Sequence, residues 1–152
     1  MSGETRVVAE GERVLLRTPV EADREAYIEA RRSSRTEHEP WEPIFGEDFD
    51  AFGDDVFDRD VSRCWTETDR RLLAVRRDDG AIVGRVGASS IERGPFQNCR
   101  LGWWGTSADS GRGYMTEAVQ LAIRSLFEGE SLHRIEANIL PTNARSVALA
   151  RR

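Results

Sequence analysis

The sequence predicts a single α/β domain, with helices packed on both faces of a mixed, mostly antiparallel sheet. Three observations support this. The chain has 152 residues, enough to bury one core without disulfides or metals. Hydrophobic residues make up 39% of it and charged residues 32%, the balance of a globular protein. The apolar patterns give the order β-α-α-β-β-β-α-β-α, which does not alternate strictly.

The first third of the chain predicts a strand, a helix and a loop. Residues 14–16 are apolar and predict the strand. Thr18 is a suitable N-cap and Glu21 completes a capping box, so we expect a helix from there to about Arg32. Prolines and a glycine between 38 and 46 indicate a loop.

The middle of the chain predicts a helix followed by a hairpin. Apolar residues at roughly helical spacing predict a helix within 48–65. Residues 72–75 form an apolar run that predicts a strand. The Asp79-Gly80 pair is a strong hairpin signal, and 81–87 returns as a strand that extends toward Ile91.

The last third begins with an aromatic-rich segment, 99–104, which predicts another strand. A polar turn at 106–113 then leads into the clearest helix of the chain, which ends at Gly129. Residues 132–140 alternate and predict a strand, and Asn143 begins a last helix. The apolar stripe of the long helix consists of Met115, Ala118, Val119, Ala122 and Leu126.

Composition excludes several kinds of chemistry. Every basic residue is arginine, and the absence of lysine excludes a P-loop and Schiff-base catalysis. A net charge of -5 and a pI near 5.2 disfavour a nucleic-acid surface. With only His38 and His133 present, we expect no metal site. Cys64 and Cys99 suggest reduced thiols in the core, and no apolar leader or span is present, so we expect a cytoplasmic protein without membrane contact.

The turn Ser110-Gly111-Arg112-Gly113 lies between a predicted strand and an amphipathic helix. Two glycines allow positive φ angles and a close approach of a ligand to the backbone. The helix that follows directs its unpaired N–H groups at the turn. This arrangement favours phosphate or pyrophosphate binding. Thr116 stands where a dinucleotide fingerprint requires a third glycine, so the Rossmann interpretation is rejected.

The residues Gly111-Arg112-Gly113-Tyr114-Met115-Thr116-Glu117-Ala118 resemble the acetyl-CoA motif of GNAT acetyltransferases. The segments 132–138 and 141–146 resemble the RimJ/RimL branch, which acetylates the N-terminal amines of ribosomal proteins. The likeness extends from Arg13 to Arg152. It implies a GNAT fold with acetyl-CoA as co-substrate and no metal.

The resemblance also implies site residues. The strand end Trp103-Trp104-Gly105 would pair its backbone with the pantetheine arm, although core packing is the alternative for either tryptophan. Asn143 and Ser146 would lie beside the thioester, with Ser146 as the catalytic acid; a helix N-cap and a plain first-turn serine are the alternatives. The residues expected to hold the pyrophosphate are Gly111, Arg112, Gly113, Tyr114, Met115 and Thr116.

The expected acceptor is a protein α-amine. Its pKa of roughly 7.7–8.0 leaves more free base near neutral pH than a lysine with about 10.4. Candidate bases are Glu136, Glu42 and Glu92, with Glu136 preferred, although a solvated charge is the alternative for Glu136. Trp41 and Glu42 are expected to contact the acceptor. A small amine as acceptor, or an inactive acyl-CoA-binding module, are the alternatives.

Family members continue past the position of Arg152 with two more strands. We therefore expect this single domain, 1–152, to be truncated at its C-terminus. Such strands would cover the edge of the 132–140 strand, and an uncovered edge invites pairing. A homodimer that completes the sheet is one expectation.

Overall fold

The computed structural model describes residues 4–41, 48–139 and 143–151, without the side chain of Trp41. Its sheet has six strands that lie in chain order. All neighbours are antiparallel except the last pair, which is parallel. The strands are β1 (Val7–Glu10), β2 (Val14–Arg17), β3 (Arg70–Arg76), β4 (Ile82–Glu92), β5 (Asn98–Gly105) and β6 (Arg134–Glu136).

Helices cover both faces of this sheet, which confirms the predicted mixed α/β fold. One face packs on α4, and the other packs on α1 and α3. Within the described ranges, no helix combines the length and apolarity needed to cross a membrane. The helices are α1 (Arg24–Ser33), α2 (Arg35–His38), α3 (Asp54–Ser62), α4 (Tyr114–Arg124) and α5 (Ala144–Ala150).

Two hydrophobic cores result, one on each face. The α4 core contains Ala118, Val119, Ala122 and Leu126, so most of the predicted stripe is buried. Cys99 also lies in this core, as the sequence predicted. The second core packs α1 and α3 on the opposite face, and its buried members are Tyr27, Val56, Phe57, Leu73, Val75 and Trp104.

The predicted helix start at Thr18 is wrong. The Thr18 hydroxyl oxygen accepts the Arg6 N–H at 2.8 Å and so fastens the start of the chain to the end of β2. A short 3₁₀ turn, Glu21–Asp23, precedes α1. The Asp23 carboxylate accepts the N–H of the N-cap residue Val20 at 2.8 Å, the reciprocal bond of a capping box that was assigned to Glu21.

Other boundaries also differ from the prediction. The helix predicted within 48–65 is only α3, because residues before Gly53 form turns. The predicted loop at 38–46 begins with helical residues, since α2 and a short 3₁₀ turn run to Trp41. Strand β1 was not predicted, because four residues at a sheet edge give little local signal.

Strands β5 and β6 separate soon after they meet. Residues 98–100 pair with 134–136, so within the described residues the strand is shorter than the 132–140 that the sequence predicted. Beyond Arg100, the outer edge of β5 at 101–105 has no strand partner in the part of the chain that the structure describes. The separation leaves exposed main chain beside Gly102.

Candidate active site

The glycine turn joins the end of β5 to α4. Gly111 and Gly113 have φ angles of 80° and 81°, a left-handed conformation that confirms the predicted need for glycine. Gly113 is the N-cap residue of α4. A Cβ on Gly111 would meet no atom within 4 Å, so the turn faces open space. A ligand can therefore approach the backbone closely here.

The N–H groups that follow Ser110 in this turn have no acceptor among the described residues. Across the described ranges, no acceptor is found for the N–H groups of residues 111–115. The Glu117 N–H bonds to the Gly113 carbonyl oxygen at 3.2 Å, where the regular helix begins. Several unpaired donors at the positive end of an eleven-residue helix form a site for an anion.

Glu117 fixes α4 to the start of β2. Its Oε2 accepts the N–H groups of Arg13 at 2.8 Å and Val14 at 2.9 Å. Burial would raise the pKa of this carboxyl, but the two backbone hydrogen bonds and the Arg13 guanidinium hold it below its ordinary value. The carboxylate thus keeps its charge and pins the first turn of the helix.

Arg13 extends this support to the glycine turn. Its Nη1 donates to the Arg112 carbonyl oxygen at 2.9 Å, and its guanidinium lies 4.7 Å from the ring centre of Tyr114. The pairing of Arg13 with Glu117 was not predicted from the sequence. The two residues are 104 positions apart, and no local pattern links them.

Three predicted ligand residues direct their side chains into the protein. Trp104 is 7% exposed and packs edge-on against Tyr27, with ring centres 5.6 Å apart. Trp103 is half-buried against the α4 core. Met115 fills the space above Gly105, where an added Cβ would lie 2.6 Å from the Met115 Cγ. Trp104 and Met115 can therefore offer a ligand mainly their backbone.

Helix α5 begins beside the glycine turn. Arg145 Nη1 donates to the Ser110 hydroxyl oxygen at 2.7 Å and pairs with Glu37 of α2 at 3.0 Å. Asn143 Oδ1 accepts the Ser146 N–H at 3.4 Å, so Asn143 is the N-cap of α5. The Ser146 hydroxyl makes no hydrogen bond to any described residue and is available to a ligand.

Glu136 ends β6 at the point where that strand leaves β5. Its side chain is half-buried and has no ion pair within the described chain. Its position at the opening between the strands is compatible with the predicted role as a base. Glu42 and the side chain of Trp41 lie outside the described residues.

A group of arginines on the α1/α3 face was not predicted. Asp60, 1% exposed, is close to the guanidinium groups of Arg71 and Arg85. Its Oδ2 accepts the Tyr27 hydroxyl proton at 2.5 Å, and burial together with the Asp60 charge raises the pKa of Tyr27. Burial lowers the pKa of Arg31 to about 10, and repulsion from Arg85 adds to the shift.

Known proteins resemble this chain over most of its length. Residues 13–152 match the family model described as an acetyltransferase (GNAT) domain. The [ribosomal protein uS5]-alanine N-acetyltransferase of Escherichia coli is 29% identical over 142 residues, 82% of this chain and 66% of that protein. The probable N-acetyltransferase YjcK of Bacillus subtilis is 39% identical over 69 residues, 45% of this chain and 38% of that protein.

A solved structure shares the fold described above. RimJ of Mycobacterium smegmatis in complex with CoA-disulfide has a TM-score of 0.78 at 25% identity, covering 98% of this chain and 72% of that one. The chain spans just under two thirds of the Escherichia coli relative and less than half of the Bacillus one.

Proposed function

Since the chain belongs to the GNAT acetyltransferase family, we propose that it transfers an acetyl group from acetyl-CoA to the N-terminal α-amine of a protein. The observation that carries the proposal is the set of N–H groups at 111–115 that have no acceptor in the described chain. They lie at the head of α4, where a diphosphate is the anion of matching size and charge. Gly111, with a left-handed φ and no atom within 4 Å of its Cβ position, leaves room for it.

The separation of β5 and β6 supports a place for the rest of the co-substrate. The edge at 101–105, where His38 already binds the Gly105 carbonyl oxygen, offers its other main-chain groups to an extended molecule that carries amides, as the pantetheine arm does. This edge runs from the opening near Glu136 to Gly105, shortly before the glycine turn. An extended arm along it would connect the anion site to the opening between the strands.

Ser146 is the proposed acid. In the transfer, the amine nitrogen attacks the thioester carbonyl carbon, the C–N bond forms, and the C–S bond breaks. The sulfur then takes a proton, which the Ser146 hydroxyl is available to supply. A thiol has a pKa of about 8.5, so the sulfur is a good leaving group and needs only modest help.

Glu136 is the proposed proton acceptor for the amine. An α-amine is already about 10–20% free base near neutral pH, so a half-exposed carboxylate or a water molecule is an adequate base. A lysine acceptor would need a stronger and better placed base. Trp41 and Glu42 are proposed to contact the acceptor, although Glu42 and the side chain of Trp41 lie outside the described residues.

The relatives support the choice of acceptor. The Escherichia coli enzyme, which matches 82% of this chain, is named for an alanine of a ribosomal protein. The match of RimJ in complex with CoA-disulfide supports a CoA compound as the co-substrate. The name of the Escherichia coli enzyme supports a protein acceptor over a small amine.

Mass spectrometry with acetyl-CoA tests this function. The protein is incubated with peptides that begin with alanine or serine, with the same peptides blocked at the N-terminus, and with small amines. We expect a mass gain of one acetyl group on the open α-amine peptides alone. Acetylation of small amines alone would contradict the acceptor, and no transfer to any amine would contradict the enzymatic function.

A further inference from the structure

Two glycines lie side by side on the α1/α3 face of the sheet, Gly87 buried and Gly102 exposed. Arg71 on β3 pairs with Gly87 on β4, and Gly87 pairs with Gly102 on β5. Paired residues on neighbouring strands direct their side chains to the same face, so two glycines in a row leave a shallow channel. A Cβ on Gly102 would meet no atom within 4 Å, which shows that this end is open.

The channel leads from the β5 edge to two guanidinium groups. A Cβ on Gly87 would lie 2.8 Å from Arg85 Nη1 and 3.3 Å from Arg71 Cδ, so both side chains extend over this glycine. Adjacent strands are about 4.8 Å apart. The cationic groups therefore lie about one strand spacing from Gly102, beside the edge assigned above to the co-substrate.

Positive charge exceeds negative charge at this end of the channel. Asp60 faces both arginines, with Arg85 Nε 3.5 Å from Oδ2 and Arg71 Nη1 3.9 Å from Oδ1. Arg71 also pairs with Asp69 at 3.1 Å. Arg31 and Arg59 add two further charges nearby, since the charges of Asp60 and Arg85 act on the pKa of both. The chain as a whole has a net charge of -5, so this local excess of positive charge is opposite in sign to the net charge of the protein.

Arg85 has capacity left to bind a ligand. Its side chain is 15% exposed, and Asp60 is its ion-pair partner in the described chain. No hydrogen bond from its guanidinium reaches any residue in the described ranges, and its Nε is buried without an acceptor. A guanidinium has five N–H donors and recognises carboxylates through paired hydrogen bonds.

We propose that Arg85, assisted by Arg71, binds a carboxylate of the acceptor, and that the enzyme selects amines that carry a carboxylate a few bonds away. The carboxylate belongs either to an acidic side chain near the N-terminus of a peptide or to a free amino acid. This inference rests on the proposed function, because the acceptor amine must reach the opening between β5 and β6.

Matched acceptors test the proposal. Peptides that begin Ala-Glu and Ala-Gln have side chains of nearly the same shape and differ in charge. We expect kcat/KM to be about tenfold higher for the glutamate peptide, as a charge-assisted pair would give. Alanine and alaninamide form a second pair, in which preference for alanine would assign the carboxylate to a free amino acid.

Two variants complete the test. Arg85→Gln should bring the Glu/Gln ratio to about one, and added salt should reduce the ratio in the unmodified protein. Arg124→Gln removes an exposed arginine on α4, on the other face of the sheet, and should leave the ratio unchanged. If Arg85→Gln does not fold, Arg85→Lys is the alternative variant. It keeps the positive charge but lacks the paired donors of a guanidinium, so its Glu/Gln ratio should lie between about one and the ratio of the unmodified protein.

Binding separates this inference from the proposed function. Calorimetry in the presence of CoA measures the affinity of the same peptides without any turnover. A preference for Ala-Glu in binding supports the carboxylate site even if no acetyl group is transferred, which would contradict only the proposed function. Equal affinities and equal kcat/KM for the two peptides, or a preference that Arg85→Gln retains, would overturn the inference.

Discussion

The Nε2 atom of His38 lies 2.8 Å from the carbonyl oxygen of Gly105, the last residue of β5. The Nδ1 atom of the same ring lies 2.8 Å from Nη1 of the buried Arg31. Arginine only donates hydrogen bonds, so Nδ1 of His38 accepts one from Arg31. Nε2 therefore carries the hydrogen and donates a hydrogen bond to the Gly105 carbonyl oxygen. A neutral imidazole thus joins α2 to the strand edge beside the proposed co-substrate. The Ser34 hydroxyl, which accepts the Ser107 N–H at 3.0 Å, supports the same corner.

We predict that the partly buried His38 makes the protein less stable in mild acid. Burial lowers the pKa of His38 below its ordinary 6.5, and the neighbouring Arg31 adds to the shift. The unfolded chain therefore binds this proton more readily than the folded one. The free energy of unfolding should fall as pH drops below 6.5 and toward the lower pKa of the folded state.

Urea unfolding at several pH values measures this effect, with His38→Gln as the comparison. The variant lacks the titrating ring, so its stability should change less over the same pH interval. An equal decline in both proteins would show that other groups cause the acid sensitivity. His133 is exposed and remains in both proteins, so its contribution cancels.

Gly111→Ala should damage both stability and ligand binding. An alanine at a φ of 80° costs about 1 kcal/mol in backbone strain. Its methyl group would also occupy the open space in front of the turn, so we expect CoA affinity to fall about tenfold. Thermal unfolding and calorimetry measure the two effects separately.

Gly80→Ala is the matched control for this prediction. Gly80 has a φ of 73° with open space around it, but it lies in the hairpin between β3 and β4. It should incur a similar strain and leave CoA affinity unchanged. Equal losses of affinity in both variants would attribute the effect to destabilisation and not to the turn.

Glu117→Gln should loosen the head of α4. The Glu117 carboxylate accepts hydrogen bonds from two backbone N–H groups. The neutral amide of glutamine would accept them more weakly, which should lower the free energy of unfolding by about 1–2 kcal/mol. Because the folded pKa of Glu117 is lowered, its contribution is present above the unfolded value of 4.5 and is lost as pH falls through the folded pKa. Denaturation of the two proteins should therefore differ at neutral pH and converge in acid.

Ser146→Ala should lower kcat about tenfold with little change in CoA affinity, since the hydroxyl acts on the leaving sulfur. The Asn143 cap binds the backbone N–H of this residue and is preserved in the variant. Steady-state kinetics at saturating acetyl-CoA measures the effect, with the exposed Ser33→Ala as the control. An unchanged kcat would remove Ser146 from the mechanism.

Local patterns were sufficient to predict much of this fold. The hairpin at Gly80 and the helix after Gly113 follow from turn chemistry and from an apolar stripe, which act over a few residues. The extent of β6 could not be predicted, because the alternation along 132–140 does not show where β5 diverges. Thr18 was misassigned because its hydroxyl has a partner, Arg6, from another part of the chain.

The candidate site likewise combines features that local sequence predicts with features that depend on long-range contacts. The left-handed glycines were predicted from their spacing. The channel beside Arg71 and Arg85 depends instead on a strand register that places Arg71, Gly87 and Gly102 in one row across three strands. The inward direction of Trp104 likewise depends on packing against Tyr27. Such long-range relationships have no signature in a single sequence.

Calorimetric titration of the folded protein with CoA and acetyl-CoA measures whether the N–H groups at the head of α4 bind a diphosphate. We expect one CoA or acetyl-CoA to bind per chain, with an affinity that Gly111→Ala lowers about tenfold and Gly80→Ala leaves unchanged. If a protein whose folding is verified by a cooperative thermal transition bound neither compound, the glycine turn would not be a CoA site.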